Sequence, residues 1–482
     1  MKKELNFSMF FLSSFLIIGG VSFSSIDLMT WGLFIAFFNN IFFAVTEVKK
    51  NAIFFFYHIT LFIFLLGRIF VSYFLKYNPL DTMLGLDFYD EKIVIKVVLL
   101  LFLSLQSLFL SYYLTENTTI IFNKKLILIS DKLNKQVQSI VPQVKKISFV
   151  ILCVTFLFRL AQVIDIFLFV QNNGYNAYYI SFETSLPFIV TVLASFFSIS
   201  FFTYIATLPK KKELYLPLIL YFIEGIFSLA TGQRNMFALN VLILAIYLIF
   251  RMKKEINLFK LNKKVYIVIA IGLVSTAFIF IIIGNLRWGL DSSNQGFISK
   301  IARLLFDQGV SVNLIGYSMT LHDFIPTNKF YSFSPFIRLA KDVLSIFFDI
   351  PTFNGQTLEN ALYGDAFTYT ITYLIMPLDY LRGRGYGSTY IAELFVDFSY
   401  AGVILGNFFY GWLMSFLNKV NKLNFIVSAF SLLMIRYFFF TPRAGFLDFI
   451  TYVFSVYHVA FMFILVSACF MYRWYLRKKS IN

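Results

Sequence analysis

Apolar residues run in long blocks separated by short polar stretches. The blocks fall near 5 to 23, 27 to 46, 52 to 74, 93 to 114, 147 to 170, 186 to 208, 214 to 231, 235 to 251, 265 to 284, 389 to 417, 423 to 440 and 451 to 472. Each approaches the length needed to cross a hydrocarbon core of roughly 30 Å. Lipid offers the peptide backbone no hydrogen-bond partner, so each block is predicted to be a helix that satisfies its own amides. The pattern predicts an all-α polytopic membrane helical bundle of about twelve transmembrane helices.

Two stretches depart from plain spanning helices. Phe122, Leu126, Ile129, Leu133, Val137 and Ile140 recur at steps of three and four, with Lys124, Lys125, Lys132 and Lys135 between them. That spacing predicts an amphipathic helix near 120–141 lying on the inner membrane surface. Residues 285–388 form the longest interruption between blocks, and connections of that length are uncommon unless functional. This segment is expected to carry short amphipathic helices of its own. Phe297, Ile301, Leu304, Leu305 and Val312 suggest one, and Ser334 as N-cap with Pro335 in the first turn opens another running through Leu344. The apolar run from Ala366 to Leu381 is interrupted by Pro377 and Asp379 and reads as re-entrant or buried against the bundle. The chain thus divides into an N-terminal bundle of about nine spans (1–284), a large extracytoplasmic loop (285–388) and about three C-terminal spans (389–482).

Composition supports a membrane protein, since 59% of residues are hydrophobic and 14% charged, outside the range of soluble domains. The positive charges set the orientation. Lys2, Lys3, Lys49, Lys50, the loop from Glu116 to Lys146, Lys210 to Lys212, Arg251 to Lys264, Lys419, Lys422 and Arg473 to Lys479 all fall on one side of the predicted spans. By the positive-inside rule that side is cytoplasmic, and both termini are placed there. The formal net charge of +16 is dispersed over these loops, which speaks against a nucleic-acid surface. The apolar start resembles a secretory signal but lacks a small-x-small cleavage site, so a retained first helix is expected. Cys153 and Cys469 fall inside predicted spans, so no disulfide framework or thiolate metal site is indicated.

The two cations are not distributed alike. Inner loops and termini hold 22 of the 28 Lys but only Arg251, Arg473 and Arg477, whereas seven of the 13 Arg fall on outer segments, at 234, 287, 303, 338, 382, 384 and 443. A guanidinium fork grips phosphate or carboxylate with two hydrogen bonds, which an ammonium cannot do. The outer face is therefore expected to hold an anion. Arg234, Arg287 and Arg443 stand at the mouths of spans. Arg382 and Arg384 sit in a glycine turn with Gly383, Gly385, Gly387 and Ser388, which leads straight into a span. That turn reads equally as an anion cradle at a helix start or as a loop adjusting the helix. Glu393 lies in the following span, where a carboxylate is expensive and is either a general base or paired with an arginine. His322, beside Asp323, is the one His of the long segment and a second candidate base. Arg303 and Arg338, on the expected surface helices, are weaker choices. No D-x-D or His/Cys/carboxylate cluster stands at metal spacing, so no metal or other cofactor is expected. Asp81, Asp87, Asp90 and Glu91 are the alternative acidic group.

The segment Gly385-Tyr-Gly-Ser-Thr-Tyr-Ile-Ala-Glu-Leu-Phe-Val-Asp-Phe-Ser-Tyr-Ala-Gly-Val-Ile-Leu-Gly406 resembles the late signature of Wzy-type oligosaccharide repeat-unit polymerases. Thr231-Gly-Gln-Arg-Asn235 and Thr441-Pro-Arg-Ala-Gly445 are similar to that family's short outer turns. The resemblance implies a GT-C-like helical bundle in the bacterial cytoplasmic membrane. It implies a glycosyltransferase that joins repeat units carried on undecaprenyl pyrophosphate, making O-antigen or capsule. The lipid-linked oligosaccharide and the bilayer are then its partners, with a flippase and a chain-length regulator alongside. Rival readings are an oligosaccharide-lipid flippase, which would show two similar halves and short loops, and an O-antigen ligase, a relative that uses an outer-loop His.

Overall fold

In the computed structural model, residues 2–254, 296–345, 347–420 and 424–479 are described; all regular structure among them is helical. In chain order the principal helices are α1 (Lys2–Ser22), α2 (Ile26–Thr46), α3 (Ala52–Leu61), α4 (Gly67–Phe74), α5 (Glu91–Ser139), α6 (Val141–Asn173), α7 (Phe188–Ala206), α8 (Lys211–Ala230) and α9 (Arg234–Lys254). There follow α10 (Phe297–Gln308), α11 (Asn313–Thr320), α12 (Ser334–Leu344), α13 (Leu358–Tyr363), α14 (Phe367–Ile375), α15 (Tyr390–Leu417), α16 (Phe425–Phe438) and α17 (Val456–Lys479). Ten helical stretches among the described residues are long and apolar enough to cross a membrane. Of the twelve expected, the stretch at 423 to 440 forms the shorter α16, and the stretch at 265 to 284 lies outside the described residues.

The expected helix near 120–141 is helical as far as Ser139, but as one element with the preceding span rather than a separate one. Between Glu91 and Ser139 there is neither Pro nor Gly to break it. The break comes at Ile140, before Pro142 in the first turn of α6. Packing groups the helices into two units, one of Met1–Glu116, Ala277–Asn418 and Phe439–Asp448, the other of Asn117–Thr276, Lys419–Phe438 and Phe449–Asn482.

In the first unit α1 pairs with α2, and a π-turn at Phe62–Leu66 joins α3 to α4. Buried polar side chains find one another: Asn40 Nδ2 lies 3.1 Å from His58 Nε2, and His58 Nδ1 lies 2.8 Å from the Phe54 carbonyl. His58 is thus a packing residue with both ring nitrogens occupied. The long segment after the undescribed stretch has its own core. Ala302 and Phe306 of α10 pack on Val71 of α4, and Leu314, Ile325, Tyr331, Phe367, Ile371 and Ala392 form a second cluster. Phe367–Ile375 and Pro377–Leu381 are separate short helices, and the apolar run there is buried against this cluster at Phe367 and Ile371. Because Ala392 belongs to the cluster, the segment is fastened to the first turn of α15.

The second unit packs α6 against α7 and α8 against α9. It buries a chain of charge: Arg159 Nε donates to Glu224 at 2.9 Å, Asn240 Nδ2 donates to Glu224 at 2.8 Å, and Arg436 Nε donates to Asn240 Oδ1 at 3.0 Å. The ordering explains why intramembrane charges are tolerated here, since each is paired or hydrogen-bonded. Replacing Glu224 with Ala strands Arg159 and Asn240. Unfolding in detergent should show a loss of about 3 kcal/mol, with Glu224→Gln less costly; equal stability of E224A and the parent would refute the pairing.

Candidate active site in the first unit

The glycine turn and the turn after α16 meet at one carboxylate. Glu393, 3% exposed, sits in the first turn of α15; its Oε1 accepts from Ser388 Oγ at 2.8 Å and its Oε2 from the Phe446 N–H at 2.8 Å. Ser388 belongs to the glycine turn, and Phe446 follows the short helical turn Thr441–Arg443. A second carboxylate stands beside it. Asp448 Oδ2 accepts from the Gly445 N–H at 2.8 Å, and Asp448 Oδ1 accepts from Arg338 of α12 at 3.1 Å. A Cβ on Gly445 would lie 2.7 Å from Asp448 Oδ2 and 2.9 Å from Glu393 Oε1. Only a residue without a side chain lets both carboxylates approach this backbone.

Arg443 packs against the same turn. A Cβ on Gly387 would lie 3.7 Å from Arg443 Cγ and from its carbonyl oxygen, and Gly387 has φ +83°, which favours glycine. The Arg443 guanidinium lies 5.9 Å from the Phe64 ring centre and within 3.3 Å of Gln308 Oε1. The rest of the turn is pinned from behind: Thr368 Oγ1 donates to the Gly387 carbonyl at 2.8 Å, and Gln356 Nε2 to the Arg384 carbonyl at 3.1 Å. Arg384 itself pairs with Asp379 at 3.2 Å, and Arg382, Arg384 and Gly385 are exposed.

Tyr386 connects this turn to the loop between α4 and α5. Its hydroxyl donates to Asp87 Oδ2 at 3.1 Å, Tyr317 donates to the same oxygen at 3.4 Å, and Arg68 holds Oδ1 at 2.8 Å. Burial, and next the negative charge of Asp87, push the Tyr386 phenol well above its ordinary range. Burial likewise raises that of Tyr317 to about 12. A raised value keeps the proton on an acid, so both phenols remain neutral donors to Asp87 throughout the neutral range. Asp87 is therefore committed to Arg68 and two phenols. Among the described residues no three His, Cys, Asp or Glu side chains gather as a metal set.

The structure brings together Gly387, Ser388, Glu393 and Arg443 from the expected residues, with Arg382, Arg384 and Gly385 on the same turn. It places His322 apart from the hydrogen bonds of this group, 57% exposed and 3.5 Å from Asp323. Arg234 opens α9 in the second unit, and Arg287 lies outside the described residues. Two residues of the cluster, Asp448 and Arg338, are only weakly marked in the sequence. Asp448 carried no motif signal, and Arg338 read as a surface-helix cation. The sign that could have found them is the polar stripe of α12, which needed a partner.

The model of the family described as O-antigen polysaccharide polymerase Wzy matches residues 5–478. The chain belongs to that family. Wzy membership implies polymerisation of O-antigen repeat units, acting on lipid-linked oligosaccharide in a membrane, and agrees with a multi-pass inner-membrane protein. No curated protein and no solved structure matches this Wzy-family chain. Its family likeness thus covers the whole span of the cluster just described, including both turns that meet at Glu393.

Gly445→Ala tests the clearance between the carboxylates. Overpacking at such a point costs about 1–3 kcal/mol, so a lower melting temperature and shorter polymer are expected. Unchanged melting and full-length product would show that the carboxylates do not need the space.

Proposed function

We propose that this Wzy-family chain joins repeat units carried on undecaprenyl pyrophosphate at the outer face of the cytoplasmic membrane, as an inverting glycosyltransferase with a GT-C-like arrangement of spans. The reading rests chiefly on one observation: Arg443 packs against Gly387 of the glycine turn, beside two carboxylates held by Gly445 and Ser388. Cations and carboxylates side by side are what this transfer needs. The orientation that puts the cluster outside is the one in which lysine-rich loops and both termini are cytoplasmic.

In the proposed reaction an acceptor sugar hydroxyl attacks the anomeric carbon of the growing chain. The new carbon–oxygen bond forms as the bond to pyrophosphate breaks, the hydroxyl proton passes to a base, and undecaprenyl pyrophosphate leaves. Arg443, with Arg382 and Arg384 on the turn, offsets the charge that develops on the leaving group, a role for which a preorganised cation requires no metal. Arg234 and Arg287 remain candidates for the same anion. Both carboxylates have each oxygen hydrogen-bonded, and exposure separates them: Glu393, 3% exposed, holds the glycine turn against residues 441–446. Asp448, with 23% of its side chain exposed, is the carboxylate we assign as base, and Arg338 positions it. His322 is the competing base. A flippase that delivers lipid-linked units and a chain-length regulator are proposed partners.

The test is polymerisation of lipid-linked repeat units by the reconstituted full-length protein, read as product length on gels. Arg443→Ala should lower the rate roughly 100-fold, and Arg443→Lys should restore only part of it because the fork is lost. Asp448→Asn should abolish chain growth while His322→Ala retains it; the reverse would transfer the base to His322. Cells lacking the gene should carry single-repeat glycolipid. Long chains accumulating on undecaprenyl pyrophosphate would instead mean a ligase.

A further inference from the structure

Helices α10 and α12 lie in the same long segment and are both amphipathic, yet they turn opposite faces to the protein. α10 buries its apolar side, with Ala302 and Phe306 packed on α4. α12 does the reverse. Its polar stripe faces inward: Arg338 reaches Asp448 at 3.1 Å, and Lys341 reaches the two oxygens of Asp365 at 2.9 and 2.6 Å. Phe336, Leu339, Val343 and Leu344, at positions i, i+3, i+7 and i+8, share the other face and are exposed. Phe347 and Phe348 continue it past the helix end, 75% and 63% exposed.

The depth of this face is fixed by its salt bridge. Asp448 stands beside Glu393, since a Cβ on Gly445 would lie 2.7 Å from the one carboxylate and 2.9 Å from the other, and Glu393 is in the first turn of Tyr390–Leu417, one of the ten candidate spans. A helix bonded at 3.1 Å to a residue at the end of that span lies at the level where hydrocarbon gives way to headgroups. There an outward apolar face meets acyl chains, whereas water would expose a row of large hydrophobic side chains with nothing to cover them. A helix whose inward face carries the charge and whose outward face is apolar is arranged to lie in the plane of a leaflet.

We propose that α12 is an in-plane membrane anchor. Its face of Phe336, Leu339, Val343 and Leu344, with Phe347 and Phe348, inserts among phospholipid acyl chains at that end of the spans, and Arg338 on its other face holds Asp448 at headgroup depth. The leaflet is the outer one on the orientation proposed above. The anchor places the reacting groups at the height where a lipid-linked pyrophosphate sits.

The full-length protein with Cys153 and Cys469 replaced by Ser, carrying one fluorophore on Leu339→Cys or Val343→Cys, is reconstituted in phosphatidylcholine nanodiscs containing doxyl-labelled phospholipid. A probe on Glu359→Cys, exposed on α13, serves as the aqueous reference. Quenching at 339 and 343 should exceed that at 359 by roughly threefold or more, as expected for insertion to the acyl boundary. Equal quenching at all three sites overturns the proposal. Quenching at 339 that disappears as nanodiscs with two copies replace those with one also overturns it, because a second copy then covers the face. The readout needs no catalysis. Failure of the anchor leaves the polymerase assignment standing, and an inactive protein with quenched probes leaves the anchor standing.

Discussion

A carboxylate buried in a span, with each oxygen claimed by a different turn, is the constraint on which the first unit's site depends. Leaving such a group unpaired in low dielectric costs several kcal/mol. The Ser388 hydroxyl and the Phe446 amide at Glu393 are therefore obligations of the fold. Meeting them draws the glycine turn and the stretch 441–446 together, although some fifty residues separate them in sequence. Gly445 is required because the amide that serves Asp448 must lie where a side chain would strike both carboxylates. Arg443 comes to Gly387 as a consequence.

The same economy of charge runs through the rest of the molecule. Asp87 is satisfied by Arg68, Tyr317 and Tyr386, which ties the loop after α4 to the glycine turn. In the second unit Glu224 is satisfied by Arg159 and Asn240, and Asn240 in turn by Arg436. Arginine fills these interior positions because its fork reaches two partners at fixed angles. Lysine is left to the loops. Part of the arginine excess that suggested an anion site is thus spent on internal pairing, as at Arg338. Arg443, Gly387 and the exposed Arg382 and Arg384 carry the case for a ligand.

Much of this could be read from the chain. Continuous apolar runs forecast ten stretches that are helices long enough to span among the described residues, because a helix in lipid must close its own hydrogen bonds. Glu393 stood out as a carboxylate in an apolar run, and the glycine turn as a run of residues fit for close backbone approach. What could not be read were partners far apart in sequence. Asp448 looks like any acid at a span's end until Arg338, about a hundred residues earlier, is seen to face it. His322 reads as a second candidate base, because nothing local reveals that it lies exposed beside Asp323.

The sequence by itself determined the helices, the membrane and the residue types able to bind an anion, since periodicity, length and charge act over one or two turns. Tertiary structure alone decided which face of α12 points inward and which carboxylate has spare exposure. An amphipathic helix has two faces and its sequence names both. Only the position of Asp448 and Asp365 settles that the charged one faces inward.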